Sequence, residues 1–215
     1  MSEPVIHVVD YRAGNAPSVM FALERLGLAG RLASSPSDLE HAERIILPGV
    51  GAARATIDSL RDSGLVDPLI ERVLGAHAPF LGICIGLQVL FDHSEEGDVD
   101  GLGWIPGQVR RFDDAQRVPQ IGWNEVRPTR PHPLWTDVPR PAYCYFVNSY
   151  YAVPDDPADV LATTEYGIEF CSMAARGNVA ATQFHAEKSG QLGLQLLANF
   201  AAWDGSTEAA MSSSC

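Results

Sequence analysis

Cysteine is scarce in this chain, and its few cysteines are not paired. The 215 residues include four, at positions 84, 144, 171 and 215, with no C-x-x-C spacing. Disulfide scaffolds and zinc sites need closely spaced cysteines, so we expect neither, and no metal. Cys144 and Cys171 lie in apolar runs and are predicted core residues, whereas Cys215 ends a polar tail.

The chain also has few basic residues and no long uninterrupted apolar run. Fifteen Lys and Arg stand against 27 Asp and Glu, a formal net charge of −12. Nucleic acid or an anionic membrane would meet mainly repulsion, so binding to either is disfavoured. The longest apolar stretch is broken by Gly, His and Gln, and the Met-Ser-Glu-Pro start lacks the segments of a signal peptide. We therefore expect a soluble cytoplasmic protein.

The spacing of apolar residues predicts an α/β fold. Apolar runs at 5–10, 28–33, 44–47 and 79–83 read as strands and alternate with helical patterns, the third run stopping at Pro48. Such alternation predicts a central, mostly parallel sheet with helices on both faces. Its functional loops would lie at the carboxyl ends of the strands.

After Phe91 the pattern changes to shorter strands between Pro- and Gly-rich turns. This half predicts a smaller mixed or antiparallel extension, closed by a helix over about 189–203. We interpret the acidic segment 92–100 as solvated surface. The length fits one domain, residues 1–204, followed by a polar tail, 205–215.

A reactive cysteine is the first candidate for chemistry. Gly82-Ile83-Cys84-Ile85-Gly86 is the thiol counterpart of the G-x-S-x-G elbow, which holds a nucleophile on a sharp strand-to-helix turn. The helix N-terminus would favour the thiolate, and the Ile85 amide is placed to donate to an oxyanion. From this motif alone, the interpretation of Cys84 as a buried, inert cysteine is about as good as its interpretation as a reactive one.

A candidate base and its orienting group follow near the end of the chain. We predict that the strand from Val179 ends in His185 and Glu187, which would point the same way in extended backbone. His185 would take the Cys84 proton and later protonate a departing amine, while Glu187 fixes the imidazole. Each residue alone has a structural alternative, and their combination with Cys84 favours catalysis.

These motifs resemble those of class I glutamine amidotransferases, and within them the glutaminase subunits of imidazole glycerol phosphate synthase. The Cys84 segment is similar to the nucleophile motif of the class, and His185-Ala186-Glu187 resembles its His-Pro-Glu. Further segments resemble the narrower family in the same order, from about Val5 to Phe200: 48–51, 101–107, 121–124, 145–151 and 183–189.

The resemblance implies a flavodoxin-like amidotransferase fold and a triad of Cys84, His185 and Glu187 that needs no cofactor. It also implies that the substrate glutamine and the oxyanion are held by Gly49, Gly51, Ile85, Gln88, Asn148, Ser149 and Tyr150. It implies a separate (β/α)8 synthase subunit of the HisF type as partner. That subunit would receive ammonia through its core and make imidazole glycerol phosphate and an aminoimidazole carboxamide ribotide in histidine biosynthesis. The residues implied to face it are Asn15, Trp123, Tyr145 and Lys188.

A few positions depart from the family's pattern. Arg12 stands where the family usually has Gly, Pro17 where it has Arg, Asn148 where it has His, and Ala186 where it has Pro. Asn still offers a donor and an acceptor, so a substrate contact at position 148 would survive. The triad itself is unchanged.

Other functions stay open on the sequence. The chain could serve a different synthase, for instance in surface-sugar synthesis, or act as a thiol hydrolase or peptidase on a similar fold. A non-catalytic scaffold is disfavoured because all the triad residues are retained. The favoured mechanism is attack by the Cys84 thiolate on the glutamine side-chain carbonyl. Because Gly49 and Gly51 would let a peptide rotate, we expect the isolated chain to be a poor glutaminase that its partner activates.

Overall fold

The computed structural model describes residues 4–12 and 14–206, so Cys215 and most of the predicted tail lie outside the described residues. The first half of the chain alternates strands with helices. The strands are β1 (Ile6–Val9), β2 (Gly30–Ala33), β3 (Arg44–Gly49) and β4 (Phe80–Cys84). The helices are α1 (Ala16–Arg25), α2 (Pro36–Leu39), α3 (Ala53–Asp62) and α4 (Val66–Ile70), which continues in π-helical geometry over Glu71–Gly75.

The second half begins with the short helix α5 (Ile85–Gln88) and is mostly strand. Its strands are β5 (His93–Ser94), β6 (Val99–Asp100), β7 (Gly107–Arg111), β8 (Gln120–Pro128), β9 (Ala142–Asn148), β10 (Tyr150–Pro154), β11 (Val160–Glu165), β12 (Glu169–Arg176) and β13 (Val179–Thr182). Short 3₁₀ turns cover Pro133–Trp135, Pro157–Asp159 and Ala186–Lys188. The closing helix α6 (Gly190–Ala202) lies where the sequence predicts it.

One sheet joins the two halves. Its parallel part has the order β2-β1-β3-β4-β13, and β12, β10 and β7 continue it antiparallel, while β8, β9 and β11 form a branch. Strands β1, β4 and β13 are buried along their whole length, as expected for parallel strands covered on both faces. The predicted α/β class, with a mostly parallel central sheet and an antiparallel extension, is confirmed.

The prediction that Pro48 ends the third strand is wrong. Strand β3 continues through Pro48, which pairs with Ile83, to Gly49, which pairs with Cys84. On its other side, β3 pairs with β1 only as far as Ile46. Beyond that point β3 has no ladder with β1, and a residue that lacks an N–H group is tolerated there.

Among the described residues, none of the helices has both the length and the apolar character needed to cross a membrane. Buried apolar side chains form one continuous core around the central strands, with Phe80, Phe91, Phe146, Phe184 and Phe200 among its largest members.

Candidate active site

Cys84 occupies a strained turn at the carboxyl end of a central strand. It is the last residue of β4, and α5 begins at the next residue. Its φ of 57° and ψ of −106° lie outside the regions that non-glycine residues normally occupy. Strain of this kind is typical of a nucleophile held on a sharp strand-to-helix turn.

The glycines that flank Cys84 are explained by close backbone approach. A Cβ on Gly82 would collide with the carbonyl of Gly86, and a Cβ on Gly86 would collide with the carbonyl of Leu47. Only residues without side chains let α5 pack this tightly against β3 and β4. The elbow predicted from the sequence is therefore present in its backbone geometry.

His185 lies beside Cys84 and carries a shifted pKa. Its Nδ1 is 2.8 Å from Glu187 Oε1, and its ring also hydrogen-bonds with the Cys84 sulfur. Burial alone would lower the pKa of His185, but the hydrogen bonds with Cys84 and Glu187 outweigh burial and raise it to about 9. The imidazole thus holds a proton at neutral pH, where it can stabilise a thiolate and serve as an acid.

The contact between His185 and Glu187 forms differently from the prediction. Strand β13 ends at Thr182, and His185 precedes a 3₁₀ turn that contains Glu187 and is closed by a bond from Lys188 N to His185 O of 3.1 Å. The expectation that both residues sit on an extended strand is wrong. A tight turn, rather than strand alternation, brings the two side chains together.

Asn15 lies behind the triad. Its Nδ2 donates to Glu187 Oε1 at 3.0 Å, and its Oδ1 accepts from Ser18 Oγ at 2.7 Å. The Glu187 side chain is buried, and its other oxygen, Oε2, has no hydrogen-bond partner among the described residues. Asn15, which the resemblance assigns to the partner interface, therefore also orients the carboxylate that holds His185.

A cavity of about 230 Å³ opens in front of the cysteine and the histidine. Most of the residues implied to bind substrate line it, together with a few that the sequence did not single out. The lining residues are Val50, Gly51, Cys84, Ile85, Gln88, Glu96, Pro119, Val147, Asn148, Ser149, Tyr150 and His185. Gly49 is not among them and sits just behind the cavity, where it pairs with Cys84.

Two amide side chains leave unused acceptors at this cavity. Gln88 Nε2 donates to Gln183 Oε1 at 3.1 Å and to Tyr150 O at 3.3 Å, while Asn148 Nδ2 donates to Tyr150 O at 3.0 Å. Gln88 Oε1 and Asn148 Oδ1 are buried and have no partner among the described residues. Buried acceptors are normally satisfied, so a bound molecule with N–H donors fits this cavity.

Glu96 is a cavity residue that the sequence interpretation missed. It lies in the acidic segment interpreted as solvated surface, and for this residue that interpretation is wrong. Its Oε2 accepts from Ala53 N, at the start of α3, at 2.8 Å, and burial raises its pKa although that bond works in the opposite direction. The feature that points to Glu96 is the N-terminus of helix α3. This helix begins after Ala52 and has no side-chain cap of its own, so its free N–H groups need an acceptor from elsewhere in the chain.

An exposed apolar stripe runs beside the cavity along β8 and β9. Trp123 pairs with Tyr145 across the strands, their ring centroids 6.0 Å apart, and Ile121 pairs with Val147. Tyr143 lies on the same face, and Trp123 is 54% exposed and Ile121 62% exposed. We call these five residues the apolar stripe. Lys188, the remaining residue of the implied interface, is exposed on the turn after His185.

Of the departures from the family's pattern, Pro17 and Ala186 fit the local backbone, whereas Arg12 is strained. Arg12 has φ 69°, in the left-handed region that glycine, usual at this position, adopts without cost. Pro17 lies in the first turn of α1, where its missing N–H breaks no helical bond. Ala186 begins the 3₁₀ turn after His185.

Comparisons with known proteins agree with one another. The family model "Glutamine amidotransferase class-I" matches residues 8–202. The chain is 46% identical over 198 residues to "Imidazole glycerol phosphate synthase subunit HisH 2" of Pseudomonas aeruginosa, covering 91% of this chain and 98% of that one. It is 47% identical over 204 residues to the HisH subunit of Chloroflexus aurantiacus, covering 93% and 96%.

Solved structures show the same fold at low identity. "Crystal structure of glutamine amidotransferase" has a TM-score of 0.73 at 20% identity and covers 92% of this chain and 99% of its own. "Structure of PurLQS from Thermotoga maritima" has a TM-score of 0.71 at 18% identity and covers 93% and 98%.

Proposed function

Because the chain belongs to the class I glutamine amidotransferases, and within them to the HisH subunits of imidazole glycerol phosphate synthase, we propose that it hydrolyses glutamine at Cys84 for a separate synthase subunit. The observation that carries the proposal is the site itself. Cys84, in strained backbone, contacts an imidazole with a raised pKa at a cavity with unsatisfied buried acceptors. One domain, residues 1–204, contains all of it, which the family match over 8–202 supports.

The reaction proceeds through a thioester. The Cys84 thiolate attacks the side-chain carbonyl carbon of glutamine, and backbone amides of Ile85 and of the Gly49–Gly51 loop hold the oxyanion. The C–N bond then breaks as His185 gives its proton to the departing nitrogen, releasing ammonia. His185 next takes a proton from water, whose oxygen attacks the thioester carbon. The C–S bond breaks, and glutamate leaves as the thiolate is restored.

Glutamine supplies the donors that the cavity needs. Its α-ammonium and its carboxamide N–H groups match the free acceptors of Gln88 and Asn148 and the carboxylate of Glu96. Cys84 and His185 together carry no net charge. The negative charge that attracts the α-ammonium group therefore comes from Glu96. We assign the α-ammonium to Glu96 and the oxyanion side of the cavity to Gly51 and Ile85.

The apolar stripe is the docking face for the synthase subunit, a (β/α)8 barrel of the HisF type. Its side chains are large, and all but the half-buried Tyr145 are exposed. Aromatic residues of this kind anchor protein interfaces. Val147 belongs to both the stripe and the cavity wall, so a partner seated on the stripe lies next to the site where ammonia is released. The barrel consumes that ammonia to make imidazole glycerol phosphate in histidine biosynthesis.

Docking also activates the site. Gly51 has φ +99°, which allows the adjoining peptide to rotate without a Cβ clash. The oxyanion donor can therefore point away at rest, and loss of one such donor costs roughly 3 kcal/mol, or about a hundredfold or more in rate. A partner that prefers the active arrangement shifts this equilibrium.

The test is glutamate release by the chain alone, by the chain with the synthase, and by both with the synthase's substrate bound. We expect the rate to increase through this series and to vanish in Cys84→Ser. Equal rates in all three conditions would exclude gating. Failure to bind a histidine-pathway synthase, with activation by the synthase of another pathway, would assign the chain to that pathway instead.

A further inference from the structure

We propose that Ser189 is a positioning residue that ties His185 to strand β9, so that this strand sets the places of the catalytic thiol and imidazole together. The inference rests on the proposed function, because β9 also carries part of the apolar stripe on which the synthase docks. Ser189 touches no substrate group and acts through the backbone of His185.

Ser189 closes a ring of hydrogen bonds around the backbone of His185. Its hydroxyl is buried and donates to His185 O at 2.7 Å, while accepting from Tyr145 N at 3.0 Å. His185 N in turn donates to Tyr145 O at 2.9 Å. Both backbone polar groups of His185 are thus fixed, directly or through one hydroxyl, to a single residue of β9.

The same strand also contacts the nucleophile. Val147 O lies 3.9 Å from Cys84 Sγ. In a strand, the backbone groups of residues i and i+2 point to the same edge, so Tyr145 and Val147 present theirs together. Within the described residues β9 pairs only with β8, and its other edge carries these contacts to His185 and Cys84.

The side chains of these two residues link that edge to the docking face. Tyr145 and Val147 belong to the apolar stripe, while the intervening Phe146 is buried. A shift of β9 when a partner docks would therefore move the Val147 carbonyl relative to Cys84 and carry the His185 backbone along with Tyr145 at the same time. Ser189 makes the second of these links rigid.

A hydroxyl is chemically required at this position. Only a group that accepts and donates can serve Tyr145 N and His185 O at once. Ser189 also stands at the N-cap position of α6, where serine usually caps the helix, yet its side chain makes no cap bond. The Ser189 hydroxyl therefore bonds to Tyr145 N of β9 and to His185 O, and not to the amides of helix α6.

The experiment compares Ser189→Ala with Thr182→Val. Thr182 is the matched control, since its buried hydroxyl donates to Phe184 O at 2.8 Å, on the same approach to His185, and that bond does not involve β9. In the synthase complex, we expect Ser189→Ala to lower kcat for glutamine about tenfold and to leave its KM and the synthase affinity within about twofold. Ser189→Thr should restore most of the loss, and Thr182→Val should keep the wild-type kcat.

Each outcome decides the proposal. Wild-type kcat in Ser189→Ala, an equal loss in Thr182→Val, or no rescue by Ser189→Thr would overturn it. If Ser189→Ala does not fold, which its melting curve would reveal, Ser189→Cys replaces it. A thiol is a weak donor and a weak acceptor, so kcat should fall in Ser189→Cys and be retained in Ser189→Thr, and an equal kcat in these two variants contradicts the role. If the synthase does not stimulate the wild type, gating by the partner fails, and the kcat of the chain alone decides the role of Ser189.

Discussion

Removing the charge of Glu96 should weaken glutamine binding and leave the chemical step almost unchanged. Glu96→Gln keeps the size of the side chain and an oxygen that can accept from Ala53 N, the bond of 2.8 Å that holds this side chain at the start of α3. It removes the negative charge that we assign to the α-ammonium of glutamine. A hydrogen bond to a charged group contributes about 1.5–3 kcal/mol, so KM should rise about 10- to 100-fold.

The pH dependence of KM makes this prediction sharper. Burial raises the pKa of Glu96, so the carboxylate gains a proton as the pH falls through that raised value. Protonation removes the attraction for the ammonium group, and the wild-type KM should therefore rise towards acid pH. In Glu96→Gln this rise should be absent, because nothing titrates at the position. The assay is glutamate release by the synthase complex at several pH values.

Glu95→Gln is the matched control. Glu95 is the exposed neighbour on the same segment, and its Oε2 accepts from Arg111 N at 2.7 Å instead of lining the cavity. Its substitution should leave KM within about twofold of wild type. A wild-type KM in Glu96→Gln, or a lower kcat with KM unchanged, would refute the assignment of the α-ammonium to Glu96.

Further predictions concern the triad and its neighbours. Wild-type kcat/KM should fall as the pH rises through about 9, because His185 then loses the proton that it gives to the departing nitrogen. Glu187→Gln should shift this fall to lower pH, because Glu187 helps to raise the pKa of His185. An unchanged pH profile would contradict the role of Glu187. Ala186→Pro should keep activity and melting temperature, because His185 has the extended geometry that a following proline requires, and a marked loss of either would count against it. A diazo-ketone analogue of glutamine should label Cys84 alone among the buried thiols, since burial raises the pKa of Cys144 and Cys171 to about 12, and peptide mapping would detect a label elsewhere.

Local patterns explain why much of the fold could be predicted. A β-branched run before Gly14 and Asn15, or the apolar run that leads into Cys84, determines its own secondary structure, and the glycines around Cys84 determine the elbow. Strand β3 continues past Pro48 because β1 stops pairing with it at Ile46. The register between neighbouring strands determines this, and the apolar run 44–47 carries no information about that register. Strand β10 (Tyr150–Pro154) has no alternation of its own and forms a strand by pairing with β7.

The parts of the site whose chemistry requires a particular residue type could be predicted from the sequence. The parts whose position depends on tertiary contacts could not. Cys84 and His185 were identified as a nucleophile and a base, and they do meet at one cavity. Glu96 could not be separated from the other acidic residues of its segment, because its position depends on how the segment folds onto α3. The extent of the apolar stripe likewise depends on the β8–β9 register, which aligns Ile121 with Val147.

The most direct test of the central claim is product formation by the synthase complex that contains Cys84→Ala, measured with glutamine and separately with ammonium. Nitrogen supply is the one step that requires the thiol, so glutamine-dependent synthesis should be lost while ammonium-dependent synthesis continues at the wild-type rate. Substantial glutamine-dependent synthesis by the variant, or equal loss of both activities, would contradict the account.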